Sequence, residues 1–448
     1  MRRLLMTAAF MAALALVSVA SPARAQAPDP EAVRKEIEQL RKEFEQMRQQ
    51  YGERLAALEA KVAAPAVVTQ DQPAASVAVT QAPPAAASQV PAPPAPAVAD
   101  VQTQPAPVSP GASSAGASKV FNPDIAVIGN FLGTAGRSTG NPDPAKALEL
   151  HESEVSLQAI VDPYARADFF LSFGEQGVNV EEGFATFPTI PGGLLLKVGK
   201  MRAAFGKVNG LHTHVLPWAD RPLVTRNLVG GEDGINDAGF SVARIIPNPW
   251  FFLEATGQVF RGDSADVFQS SQPSDLAYLA RLRAYQDLGE STNIDLGTSF
   301  TTGHNNSGVT DGVDLGRFTT QLFDLDATLR WKPLQRSIYR SFIARSEFVW
   351  SRREQDDGPQ SAFGYYVSGD YQLGRRWFAG VRVDRSAHAD NAVLIDTGQA
   401  LVLTFMPSEF SVIRSMYRRT RYAQQTQTSN EFLMQFQFAI GAHGAHPF

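Results

Sequence analysis

The chain contains no cysteine. Disulfide frameworks, thiolate metal ligands and cysteine nucleophiles are all excluded. Beyond Gln26 there is also no unbroken apolar run of the roughly 18 residues that would mark a spanning helix. Charge of one sign is missing too: 40 Lys and Arg stand against 45 Asp and Glu, a formal net charge of −5. That balance carries no basic footprint, so no nucleic-acid partner is expected. Catalytic and cofactor signatures fail on inspection. Gly199-Lys200 and Gly206-Lys207 each resemble the end of a phosphate loop, but neither has a glycine five residues earlier, and Met201 and Val208 stand where Ser or Thr is needed. Asp324-Leu325-Asp326 lacks the glycine and later glutamate of a calcium loop. No Ser–His–Asp order stands out. Neither enzyme activity nor a cofactor is predicted.

What is present falls into four segments. Arg2 and Arg3, the apolar stretch Leu4 to Val19, and Ala23-Arg24-Ala25 make a secretory signal peptide over 1–25. Its apolar part is shorter than the roughly 20 residues of a membrane anchor. Residues 26–62 read as a coiled coil. Ile37, Phe44, Tyr51 and Leu58 recur every seven residues, and Val33, Leu40 and Met47 fill the second seam. Arg54 and Lys61 break that seam while Leu55 and Val62 resume it one residue later, the pattern of a stutter. The narrow, sustained stripe favours self-association over a lone amphipathic helix. Residues 63–118 are dominated by Ala, Pro, Val, Gln and Ser, with Pro91, Pro93, Pro94 and Pro96 closely spaced and no aromatic residue to nucleate a core. They read as a disordered, extended tether.

Residues 119–448 carry the fold. Short segments of two-residue periodicity are joined by connectors that alternate between tight and long. The expected class is all-β: an antiparallel transmembrane β-barrel of about 16 strands. Without an apolar helix, a spanning backbone can satisfy its N–H and C=O groups only in a closed sheet. Phe432, Met434, Phe436, Phe438 and Ile440 point one way, Glu431, Gln435 and Gln437 the other. Phe251, Leu253, Ala255 and Val259 oppose Glu254, Thr256 and Gln258; Trp377, Ala379, Val381 and Val383 oppose Arg382 and Asp384. A lipid-facing charge near the bilayer midplane costs about 2–4 kcal/mol, so the polar face should line a lumen. The mean hydropathy of −0.16 agrees with a wet interior. A soluble β-sandwich would also alternate, with its apolar face inward.

Arg166, Glu254, Arg281, Arg283, Arg345, Arg382, Arg414 and Arg418 are the candidate pore-lining charges. They either set ion preference or pair with one another to keep the lumen wet. The longest connector, 206–234, carries Leu211, Val215, Leu216, Trp218, Leu223, Leu228 and Val229, which are poorly placed in water. A connector this long is functional or disordered. The expectation is that it folds inward as a constriction, with Asp220, Arg221 and Arg226 setting the local field. His212 and His214, with Asp220, have the donor types of a zinc site, although the spacing falls short of a metal motif.

Val198-Gly199-Lys200-Met201-Arg202-Ala203-Ala204-Phe205-Gly206, a strand entering the longest connector, resembles a segment of the phosphate-selective porin O/P type. The signal, coiled coil and Pro/Ala tether ahead of a barrel resemble the DcaP-like trimeric porins. That resemblance implies a sixteen-stranded trimeric channel for small, often anionic solutes. It also implies outer-membrane lipid, a homotrimer and the barrel-assembly machinery as partners, with Phe448 as the aromatic end that machinery reads. The coiled coil and tether then lie in the periplasm, where peptidoglycan contact is a further expectation. His446, Gly444 and Ala442 depart from the alternating terminal pattern, so the last strand should end near Gly441. A TonB-dependent receptor and a structural anchor between outer membrane and peptidoglycan are the alternatives. The former needs a 22-stranded barrel with a plug.

Overall fold

The computed structural model describes residues 123–441, apart from 139–140, 142–143, 176, 265–266, 308, 311–312 and 315–317, together with the isolated helical residue Lys42. The expected signal peptide, coiled coil and tether lie outside the described residues, Lys42 excepted, as does the tail 442–448.

The described chain builds one closed antiparallel barrel of 16 strands. They are β1 (Asp124–Arg137), β2 (Leu148–Leu150 and Ser153–Asp162, interrupted at His151 and Glu152), β3 (Ala165–Gly174), β4 (Gly177–Ile190) and β5 (Leu194–Arg202). After the long connector follow β6 (Asn236–Ile245), β7 (Phe252–Phe260), β8 (Ala277–Gly289), β9 (Thr292–His304), β10 (Thr319–Trp331) and β11 (Phe342–Arg353). The last five are β12 (Gln360–Gly374), β13 (Trp377–Ala387), β14 (Ile395–Ser408), β15 (Ser411–Arg421) and β16 (Ser429–Gly441). Each strand pairs with its sequence neighbours, and β1 closes on β16 in a register that sets Phe131 opposite Phe436. Closure removes the sheet edge, the condition for burying a sheet in lipid. A sandwich has two sheets and is thereby excluded. The strand number likewise excludes the 22-stranded receptor architecture.

The tight turns follow from local chemistry. Asp162 Oδ1 accepts the Tyr164 N–H, and Asn248 Oδ1 accepts those of Trp250 and Phe251 between two prolines. Such side-chain caps replace a turn's missing ladder bonds. Tyr164 and Trp250 in these turns, and Trp377 and Phe410 at the turns before β13 and β15, are exposed, as an aromatic girdle at a membrane interface would be. Along the strands, the faces sort as the alternation demands. Phe432, Met434 and Phe436 are 43–51% exposed, whereas Glu431, Gln435 and Gln437 are at most 1% exposed. Strand ends differ in two places. Two-residue periodicity alone would carry β5 from Leu194 on to Phe205, but it ends at Arg202, because Ala203 N–H bonds to the Ile235 carbonyl and the chain leaves the wall. Periodicity alone marks only Gln399–Phe405 of β14, which runs from Ile395 to Ser408, since its ladder with β13 begins at the Ala387–Ile395 pair.

Candidate functional site

The site is the connector from Gly206 to Gly234 and the polar strand faces it touches. Its first residue is clamped. Gly206 N–H donates to Ser299 Oγ (3.1 Å), and its carbonyl accepts from Arg281 Nη1 (2.8 Å). Only glycine fits there: φ is +57°, and a Cβ would fall 2.1 Å from Glu347 Oε1. The neck is stapled by Asn209, whose Nδ2 donates to the carbonyls of Ala203 (2.9 Å) and Ile235 (3.0 Å) and whose Oδ1 accepts from Ile235 N–H (2.8 Å).

From that neck the connector bonds to β2, β4, β9, β11, β13, β14, β15 and β16. Val208 N–H donates to Glu347 Oε2 on β11 (3.2 Å), and Lys207 Nζ lies 3.3 Å from Asp295 Oδ2 on β9. His212 meets Glu154 on β2 and Glu181 and Glu182 on β4. The His214 carbonyl accepts from Gln437 on β16, and the Trp218 carbonyl from Arg414 on β15. Asp220 binds Arg382 on β13 and Arg418 on β15, both at 2.8 Å. Leu223 N–H bonds Asp384 on β13, and Asn227 bonds Asp396 on β14. A short helix, α1 (Leu223–Leu228), starts at Pro222, whose carbonyl accepts from Arg226 N–H at 3.1 Å. Between these polar ties sits an apolar core. Leu216, Trp218, Val224 and Leu228 are at most 2% exposed and cluster with Phe205, Leu322, Val349, Tyr366 and Met416. Trp218 meets the Tyr366 ring edge-on at 5.2 Å, and the Arg382 guanidinium lies 4.9 Å from its ring centre.

The predicted residues take different places. Asp220 is the connector's charged anchor. Burial alone would raise its pKa, but Arg382 and Arg418 outweigh burial and hold it below the usual carboxylate value. Arg221 does not join it. Its guanidinium donates to the Val208 and Leu211 carbonyls, and burial followed by the nearby Arg202 lowers its pKa to about 10. Arg226 is half-buried on α1 and is not among the partners of Asp220. So the three expected constriction charges do not form one cluster. Asp220 is likewise not a partner of His212, because two arginines take its carboxylate.

The candidate lining charges are heavily paired. Arg166 binds Asp168 and Gln158, Arg281 binds Asp326 (2.7 Å), and Arg283 holds Asp295 through two nitrogens. Arg345 binds Asp370, Arg382 also binds Asp384, Arg414 binds Gln435, and Arg418 also binds Glu431. Glu254 is half-buried directly opposite Arg283 across the β7–β8 ladder. Sequence reading missed Glu181 and Glu182. A β-bulge in β4, where Phe170 opposes Glu182 and Leu171 opposes Val180, inserts Glu181 as an extra residue. It turns two successive glutamates to the buried side, 2% and 9% exposed. Adjacent acids in an otherwise alternating strand were the signal. Around His212 burial would lower the imidazole pKa, yet the Glu154, Glu181 and Glu182 carboxylates override it and push the value well up.

No family model matches the chain. A protein of undetermined character from Aquifex aeolicus (strain VF5) is 28% identical over 389 residues, spanning 74% of this chain and 81% of that protein. Among solved structures, an anion-selective porin from Comamonas acidovorans superposes with a TM-score of 0.51 at 10% identity, over 71% of this chain and 99% of its own. The outer-membrane channel DcaP of Acinetobacter baumannii gives 0.48 at 11% identity over 71% and 96%, and Salmonella typhi OmpF gives 0.48 at 6% over 72% and 99%. The likeness to the Comamonas structure is one of fold, the closed barrel that this chain builds from sixteen strands.

Proposed function

We propose that this chain is an outer-membrane porin through which small hydrophilic solutes diffuse passively, and that connector 206–234 lies across the lumen as its constriction. The observation that carries the proposal is the closed sheet with an apolar exterior and a charged, hydrogen-bonded interior. The bonds from one connector to strands around the cylinder support the constriction, because only the inside of a cylinder reaches all of them. A channel, rather than an enzyme, is the reading consistent with the absent catalytic motifs.

The transverse field in this reading comes from the wall. Arg345, Arg382, Arg414 and Arg418 lie on β11 to β15, and Glu154, Glu181 and Glu182 on β2 and β4. Anionic solutes fit the arginine side, where guanidinium groups replace hydration. The coiled coil over 26–62 would join three chains beneath the membrane, with the 63–118 tether spanning toward peptidoglycan. Planar-bilayer recording of the purified protein tests the function: ohmic steps are expected, and a lipid film that never conducts would refute it. Deleting Leu211–Arg226 should raise the single-channel conductance; an unchanged conductance would defeat the constriction. The sign of the reversal potential in a salt gradient then reports anion or cation preference.

A further inference from the structure

The bulge in β4 brings Glu181 beside Glu154 of β2, and the connector lowers His212 onto both. One ligand atom from each of the three lies within 4.8 Å of the others, and all three residues are buried. Glu154, Glu181 and His212 are 3%, 2% and 6% exposed. Glu154 Oε2, Glu181 Oε1 and His212 Nδ1 are buried without a well-directed hydrogen bond, and His214 Nδ1 stands 3.6 Å from the same Glu154 oxygen. Nδ1 is only 2.7 Å from Glu154 Oε2 and 3.0 Å from Glu181 Oε2, close enough for an ion pair but off the direction in which a ring N–H points.

The surroundings supply the outer layer that a metal centre needs. His212 Nε2 lies 2.7 Å from Glu182 Oε2, so a cation that displaces the Nδ1 proton leaves the Nε2–H held by Glu182. A carboxylate behind an imidazole is the arrangement that orients metal-bound histidines. Arg202 Nη2 holds Glu181 Oε2 at 2.9 Å, and Glu182 Oε1 accepts the Arg202 backbone N–H at 2.7 Å. Both supporting groups are thereby pinned. Buried carboxylates outnumber the cations bonded to them, so a positive ion relieves a cost that burial otherwise imposes.

We propose that Glu154, Glu181 and His212 bind a divalent cation of the zinc class. One imidazole nitrogen with two carboxylate oxygens matches zinc chemistry and leaves a fourth tetrahedral position for water. Two of the ligands belong to the wall and the third to the connector, so the ion staples one to the other. Binding is independent of whether the barrel conducts, so its failure and the failure of the porin reading are separable.

The test is equilibrium dialysis of the full-length, detergent-purified protein, stripped with EDTA, against zinc chloride, with cobalt(II) visible absorption as a second readout. About one zinc per chain is expected, with affinity falling roughly 10–100-fold in Glu182→Gln, which removes only the outer carboxylate. His212→Gln should lose the cobalt band, and Glu154→Gln should weaken it. Heat-modifiable migration on gels verifies that each variant retains its barrel. The double variant His443→Gln, His446→Gln should bind as the parent does. Zinc bound no tighter by the parent than by His212→Gln, or zinc that follows His443 and His446 instead, would overturn the site and leave His212 as the centre of an ion pair only.

Discussion

The grip of Asp220 on the wall permits a quantitative prediction. Replacing Asp220 by Asn keeps the shape and removes the charge. The native carboxylate accepts one 2.8 Å bond from Arg382 Nη2 and one from Arg418 Nη1. Hydrogen bonds to charged groups contribute about 1.5–3 kcal/mol each. Breaking a buried pair costs about 3–5 kcal/mol when the partner is left uncompensated. Here neither guanidinium is orphaned, because Arg382 keeps Asp384 (2.8 Å) and Arg418 keeps Glu431 (2.9 Å). The amide oxygen of Asn also preserves one acceptor. The net loss is therefore about 3 kcal/mol, between those figures. At about 1.4 kcal/mol per decade, the detached connector becomes roughly 100-fold more populated. Hydrogen exchange of the connector amides should accelerate by that factor, and single-channel records should show correspondingly more frequent steps to higher conductance. A folded Asp220→Asn barrel whose connector exchanges like the parent's, with an unaltered current trace, would refute the reasoning that Asp220 anchors this segment.

Three other outcomes follow from the same structure. Because its two arginines hold the Asp220 pKa below the ordinary carboxylate value of about 3.9, the anchor is intact above that pH and is lost as pH falls through the depressed value. Connector protection factors, with the intrinsic pH dependence of exchange divided out, should thus be flat from neutral pH to about 4 and fall only in stronger acid; a midpoint above 5 would contradict the pairing. Gly206→Ala forces a Cβ against Glu347 and a side chain into φ +57°, at a cost of about 1–3 kcal/mol, so the gel-shift melting temperature should fall; an unchanged melt would show that the clamp is slack. Val381 is 52% exposed on β13, so Val381→Arg should destabilise the barrel in vesicles by about 2–4 kcal/mol while sparing it in detergent. Equal stability in both solvents would mean that this face does not meet lipid.

The sequence by itself determined the architecture. A period of two is visible residue by residue, since each side chain flips to the opposite face. The run from Glu431 to Ile440 therefore displayed its lipid and lumen sides before any partner strand was known. Tight turns at Asp162-Pro163 and Pro247-Asn248-Pro249 were equally legible, because their hydrogen bonds span two or three residues.

Tertiary structure alone decided which charges meet. Asp220 lies 162 residues from Arg382 and 198 from Arg418, and Val208 lies 139 from Glu347. Those pairings are set by the path of a non-periodic connector that bonds to distant strands, and no local spacing encodes such a path. Arg221, outwardly a twin of the wall arginines, was diverted to two backbone carbonyls by the same path. The bulge at Glu181 is the other case. A one-residue slip reverses every face that follows it, so two adjacent glutamates could share one side only once their strand had been paired.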